Sequence, residues 1–225
     1  MARNRDSLQR RKAYRQTRPR FLIVCEGTVT EPRYFKDVQH TKRSLIDLEL
    51  KPSGTPKTLV ERAVQLKSEA DGKAKRLKDD NEKYEEVWCV FDIDNHPLIP
   101  EARDQARANG IELAISNPCF ELWPLLHFQD QRAHIERGKV QRLCRQLMPG
   151  YEKRLNYASL RPRYSGALQR AEDLERWHGS RGTAGANPST TVHRLVERIK
   201  VPRVTRGLTK RRARNTAAWM IIVVS

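Results

Sequence analysis

The chain has 225 residues, 38% of them hydrophobic, and 44 Lys/Arg against 27 Asp/Glu give it a formal charge of +17. That length supports one sizeable domain, or one domain with a helical appendage. No stretch approaches the ~20 apolar residues of a membrane span, and the basic start lacks the apolar core of a secretory signal.

Residues 1–20 hold eight Lys/Arg and one Asp, and residues 201–225 hold six Lys/Arg and no acid, which leaves about +4 for the body between them. Such tails suit arms that meet nucleic-acid phosphates, with Arg10, Arg11, Lys12, Lys210, Arg211 and Arg212 as candidate contacts. The same composition also suits solubilising, unstructured ends. Phe21 to Cys25, FLIVC, is a continuous apolar run of the kind a central parallel strand shows. Glu26-Gly27 follows, with Gly27 suited to a tight turn. Thr30 is a candidate N-cap, and Pro32 sits in the first turn of the helix EPRYFKDVQ.

Ser44 to Leu50 alternates apolar and polar residues and reads as a second strand. Residues 51–56 read as a loop and 58–77 as a helix with Leu59, Ala63, Leu66 and Ala70 on one stripe. A charged linker then leads to Val87–Phe91, a third strand that runs into Asp92-Ile93-Asp94. Side chains alternate along a strand, so the two aspartates share one face if the strand continues that far. A helix over 97–109 closes at Gly110, and Ile111–Ile115 is a fourth strand that Ser116-Asn117-Pro118 breaks. CFELWPLLHF begins another helix, limited or kinked at Pro124. Beyond Gln129 the strand signals stop: residues 139–148, 163–178 and 191–200 have helical spacing, with a Gly-rich loop over 179–187. The apolar end at 219–225 is too short to span a membrane.

Strands interleaved with helices predict an α/β domain with a mostly parallel, four-stranded sheet flanked by helices, followed by a helical region. The expected divisions are a basic arm at 1–20, the α/β domain at 21–129, helices packed on it at 130–200, and a basic tail at 201–225. Cys25, Cys89, Cys119 and Cys144 show no C-x-x-C spacing. Neither a zinc site nor a disulfide framework is expected, and a reducing, cytoplasmic setting fits.

In an open parallel sheet, functional groups collect at the carboxyl ends of the strands. Glu26, Asp92 and Asp94 all stand there, and they converge if the first and third strands are neighbours. Converging carboxylates repel unless a cation or basic residue lies between them, and Mg²⁺ (or Mn²⁺) takes such hard oxygen ligands. Other residues carry two readings each. Glu31 and Glu121 are metal or substrate residues, or acids favoured at helix starts. His96 orients a phosphate or water, or is a plain loop histidine. His127 reads as a buried structural residue. Asn187-Pro188-Ser189-Thr190 offers hydroxyls and helix N-terminal amides to a phosphate, or is an ordinary cap.

Four pieces carry a family resemblance: IVCEGTVTEPRYF (23–35), FDIDNH (91–96), SNPCFELWPLLHF (116–128) and NPSTTVHRLVE (187–197). A strand ending in Glu-Gly, followed by one ending in Asp-x-Asp, resembles the Toprim domain of topoisomerases, primases and overcoming-lysogenization-defect nucleases. More narrowly, the four together resemble the RloB-like family, found beside restriction and phage-defence genes. The resemblance implies a Toprim-like, Rossmannoid fold and a metal-dependent nuclease-like site. Glu26 would be general acid/base or metal ligand, with Asp92 and Asp94 on the metal. The resemblance by itself also implies an ATPase subunit encoded nearby as partner, and the chain shows no ATP-binding motif of its own. Two other functions keep the same residues in view: nucleotidyl transfer of the primase type, and a non-catalytic nucleic-acid-binding subunit. The region after Gln129 is a candidate for a homo-oligomer surface, a substrate platform or simple packing.

Overall fold

In a computed structural model, which describes residues 18–42, 47–52, 54–93, 98–148, 150–151 and 155–201, the apolar runs line up side by side. Strand β1 (Arg20–Cys25) leads to helix α1 (Thr30–Lys42), then β2 (Asp47–Pro52), α2 (Pro56–Leu77), β3 (Glu86–Asp92), α3 (Ile99–Ala108) and β4 (Glu112–Asn117). The rest of the chain supplies α4 (Leu122–Leu125), α5 (Arg137–Leu147), α6 (Tyr157–Leu160) and α7 (Tyr164–Gly179). A two-residue strand β5 (Ser189–Thr190) and α8 (Val192–Lys200) follow.

The sheet order is β2-β1-β3-β4-β5. β1 to β4 are parallel, and β5 pairs antiparallel with the end of β4. The sheet thus has five strands where four were expected, and strand structure does not stop at Gln129. Two residues are too few to show an alternating pattern, so β5 is made by its neighbour rather than by its own sequence. Ser116 and Asn117, expected to break the fourth strand, belong to it because Thr190 and Ser189 pair with them. The Ser116 and Thr190 hydroxyls share a buried hydrogen bond of 3.0 Å, and the Ile115 amide donates to Thr191 Oγ1 at 2.9 Å. Of the hydroxyls considered for phosphate, that of Thr190 therefore fastens the sheet edge. The helix expected from CFELWPLLHF shrinks to the four residues of α4.

Strand alternation divides the core in two. Phe21, Ile23 and Cys25 with Trp88 and Val90 face one side, against α1 and the helices that follow β4. Leu22 and Val24 with Val87, Cys89 and Phe91 face the other, against α2 and α3. The chain leaves β1 on one face toward β2 and leaves β3 on the opposite face toward β4. The strand progression therefore reverses between β1 and β3, and such a switch opens a crevice at the strands' carboxyl ends. Gly110, after α3, has φ +58, the left-handed turn expected of a glycine stop. The four cysteines are buried, free thiols. Among the described residues, no helix is long and apolar enough to cross a membrane.

His127 lies in the core at 2% exposure, its Nδ1 3.1 Å from the Trp123 carbonyl and its Nε2 buried without a hydrogen-bond partner. Burial pushes its pKa down to about 4. The unfolded chain takes up the same proton near pH 6.5. Stability is therefore full above about pH 6.5 and falls as the pH drops toward 4, by about 3 kcal/mol from this residue. Urea unfolding between pH 4 and 7 should show that slope in the wild type and a shallower one in His127→Gln. Equal slopes would show that the ring is not held neutral.

Candidate active site

The crevice between β1 and β3 is where the acids gather. Glu26 directly follows β1, and its amide donates to the Val90 carbonyl of β3 at 2.9 Å. Its carboxylate turns the same way, with Oε2 accepting from the Asp92 amide at 3.1 Å. Asp92 is the last residue of β3, on the face that already carries Trp88 and Val90. The adjacency on which the site depends is therefore present: β1 and β3 are hydrogen-bonded neighbours.

Glu31, in the first turn of α1, and Glu121, just before α4, bring two more carboxylates. With Glu26 and Asp92 they line one cleft of about 280 Å³, together with Arg137 and Gln141. The turn between β1 and α1 explains Gly27. It does not adopt a positive φ; an added Cβ there would collide with the Glu31 carboxylate. The glycine makes room for an acid rather than for an unusual backbone.

The electrostatics of the cleft are out of balance. Burial pushes the Glu31 carboxyl above its ordinary range, and Glu121 and Glu26 add to the rise. Burial likewise raises Asp92, with the Arg137 guanidinium acting against it and Glu31, Glu121 and Glu26 acting with it. Arg137 donates to Asp92 Oδ2 at 2.9 Å. Glu121 Oε1 accepts from the Tyr151 hydroxyl at 3.0 Å. Among the described residues, four carboxylates and one guanidinium line the cleft, an excess of acid that a hard divalent cation would suit.

Among the described residues, no three His, Cys, Asp or Glu side chains are already drawn together as a metal cluster. In donor type the cleft fits Mg²⁺ or Mn²⁺. Glu26 and Asp92 could hold the ion, Glu31 and Glu121 stand at the same cleft, and Mg²⁺ needs only one or two carboxylates plus water and phosphate oxygens. Asp94 and His96 lie outside the described residues, as do Arg10, Arg11, Lys12, Lys210, Arg211 and Arg212.

Arg137, Gln141 and Tyr151 are site residues that the sequence did not single out. Arg137 is one of 44 Lys/Arg, and nothing local distinguishes it. Only the packing of α5 against α4 carries it to Asp92.

A family model described as RloB-like protein matches residues 21–199. The chain belongs to the RloB-like family. No curated protein and no solved structure matches it. The match begins at β1 and ends within α8, so the acid-lined cleft and the helices that close it fall inside the RloB-like region.

Glu31 of this RloB-like chain gives a second measurable consequence. Its folded pKa is raised, so without divalent cations its ionised form lowers stability once the pH rises past about 4.3, the unfolded value. Glu31→Gln should raise stability at pH 7 and change it little at pH 4. Saturating Mg²⁺ should shrink the difference at pH 7 by stabilising the wild type more than the variant. A variant destabilised at pH 7 would mean that the carboxylate makes a structural contact instead.

Proposed function

We propose that this chain is a Toprim-type, Mg²⁺- or Mn²⁺-dependent phosphodiesterase that cuts DNA or RNA, acting in the cytoplasm in phage defence. The observation that carries the reading is the joining of the β1 and β3 ends, with the Glu26 carboxylate on the Asp92 amide at 3.1 Å. Bound in the cleft, the cation supplies positive charge against the scissile phosphate. Asp92 would hold the ion, with Asp94 as its expected companion.

Glu26 takes the proton of the attacking water as its oxygen bonds to phosphorus, and returns it to the leaving strand's oxygen as the P–O bond breaks. Arg137 gains a second task when a substrate enters. Its planar donors, now on Asp92, match a phosphate equally well. Cationic side chains nearby support a nucleic-acid substrate: Lys139, Arg142 and Arg145 are exposed on α5, the helix that begins at Arg137. An ATPase encoded nearby is the expected partner, and a homo-oligomer through the helices after Gln129 is compatible with the reading.

The test incubates single- and double-stranded DNA and RNA with the full chain, Mg²⁺ or Mn²⁺, and the neighbouring ATPase, beside Glu26→Gln. Expected is cutting of one nucleic-acid class that EDTA stops and Glu26→Gln loses. Cutting that survives the substitution, or none by the wild type with its partner present, overturns the proposal.

A further inference from the structure

The outer edge of β4 is covered only in part. β5 pairs with Ser116 and Asn117 alone, and Glu112, Leu113 and Ile115 line a groove of about 710 Å³ between α3, the 179–187 loop and α8. That volume lies within the range of small-ligand sites. No residue lines both this groove and the carboxylate cleft.

Three guanidiniums enter the groove: Arg103 and Arg107 from α3 and Arg194 from α8. Two have partners on the protein. Arg194 donates to Glu175 at 2.7 Å, and Arg107 lies 3.8 Å from Asp104. Arg103 is different. Its Nε is buried with no hydrogen-bond acceptor, and it makes no ion pair among the described residues. Its terminal nitrogen lies 3.1 Å from where a Cβ on Gly185 would stand. Gly185 has φ +81, so the loop closes tightly over the guanidinium. A buried donor left without an acceptor is unfavourable unless something else completes it, and the planar guanidinium fork suits a phosphate. Beside it, Leu113 and Ile115 give a partly buried apolar wall on which a base can lie. Of the two acids in the groove, Glu112 is exposed, and Glu175 has Oε2 on Arg194 and Oε1 buried without a hydrogen bond.

We infer that this groove is a second ligand site, distinct from the carboxylate cleft, which binds a phosphate-bearing ligand of mononucleotide size with its phosphate on Arg103. β4, which lines the groove, pairs with β3 beside Asp92. Ser116, whose carbonyl accepts from the Ile93 amide at 2.7 Å, is the register partner of Asp92 on one side and of Thr190 on the other.

Calorimetric titration of the full chain in EDTA, which keeps divalent cations off the carboxylates, tests the assignment. AMP, ATP, inorganic phosphate and a short single-stranded oligonucleotide are the probes, and the proteins are wild type, Arg103→Gln, Arg107→Gln and Glu26→Gln. Saturable binding of AMP or ATP is expected, weakened about tenfold to a hundredfold in Arg103→Gln, less in Arg107→Gln, and unchanged in Glu26→Gln. Binding of the oligonucleotide alone, with the same loss in Arg103→Gln, would identify the phosphate as one of a strand. Should Arg103→Gln fail to fold, weaker binding by Arg107→Gln with an unchanged Tm supports the site, and undiminished binding overturns it. No saturable binding by the wild type also overturns it. So does binding of AMP or ATP that Arg103→Gln leaves intact; oligonucleotide binding beside it belongs to the basic tails and the cleft.

Discussion

Asp92→Asn should reduce metal-dependent cleavage by about 10²- to 10⁴-fold while leaving the fold intact. The substitution keeps the shape of the side chain and an oxygen for Arg137, which now donates to Asp92 Oδ2 at 2.9 Å. What it removes is the negative charge at the end of β3, where burial already disfavours that charge and Glu31, Glu121 and Glu26 repel it. In the absence of divalent cations the protein should therefore unfold at an unchanged or slightly higher temperature. Thermal unfolding measured beside single-turnover cleavage separates the two effects. A folded variant with wild-type cleavage would remove Asp92 from the chemistry. A variant that loses activity only because it unfolds would make Asp92 a structural residue.

Trp123→Ala should cost about 3–5 kcal/mol and lower Tm by roughly 10 °C or more. The indole is fully buried, and its Nε1 donates to the Tyr34 hydroxyl at 2.6 Å. Its ring packs edge-on against His127 and Tyr164 at centroid separations of 4.8 and 5.9 Å, and lies tilted 6.3 Å from His193. One side chain thus joins α1, the α4 segment, α7 and α8. Deleting it opens a void among elements that are distant in sequence, where collapse is difficult. Trp123→Phe should cost less, since it keeps most of the apolar contact and gives up the hydrogen bond to Tyr34. Hydrogen exchange across β4, α7 and α8 is the readout. Faster exchange in all three would show that the helices after Gln129 share one core with the sheet. Exchange confined to α7 and α8 would show that they open separately.

These two residues differ in how far sequence could reach them. Asp92 stands at the end of an apolar strand, and the strand, its polarity and its neighbours at 91–96 are all local patterns. The same holds for β1 with Glu26, for the stripe of α2, and for the glycine stop after α3, because strand alternation, helical spacing and turn chemistry act over a few residues. The α/β class, the mostly parallel sheet and two of the four acids of the cleft follow from such patterns together with the family resemblance.

Glu31 and Glu121 were open in the sequence, since an acid at a helix start is stabilised there whether or not it faces a site. The structure turns both into the same cleft as Glu26 and Asp92. Arg137 had no local mark at all, and its ion pair spans 45 residues of chain. β5 is two residues long and exists as a strand only because the end of β4 offers Ser116 and Asn117 to pair with. Local sequence thus determined the four parallel strands, most of the helices and the acids at the strand ends. The strand order, the added edge strand and the Arg137 guanidinium beside those acids were decided by contacts between distant segments. Such contacts depend on complementary surfaces and charges meeting in space, which no single window of sequence contains.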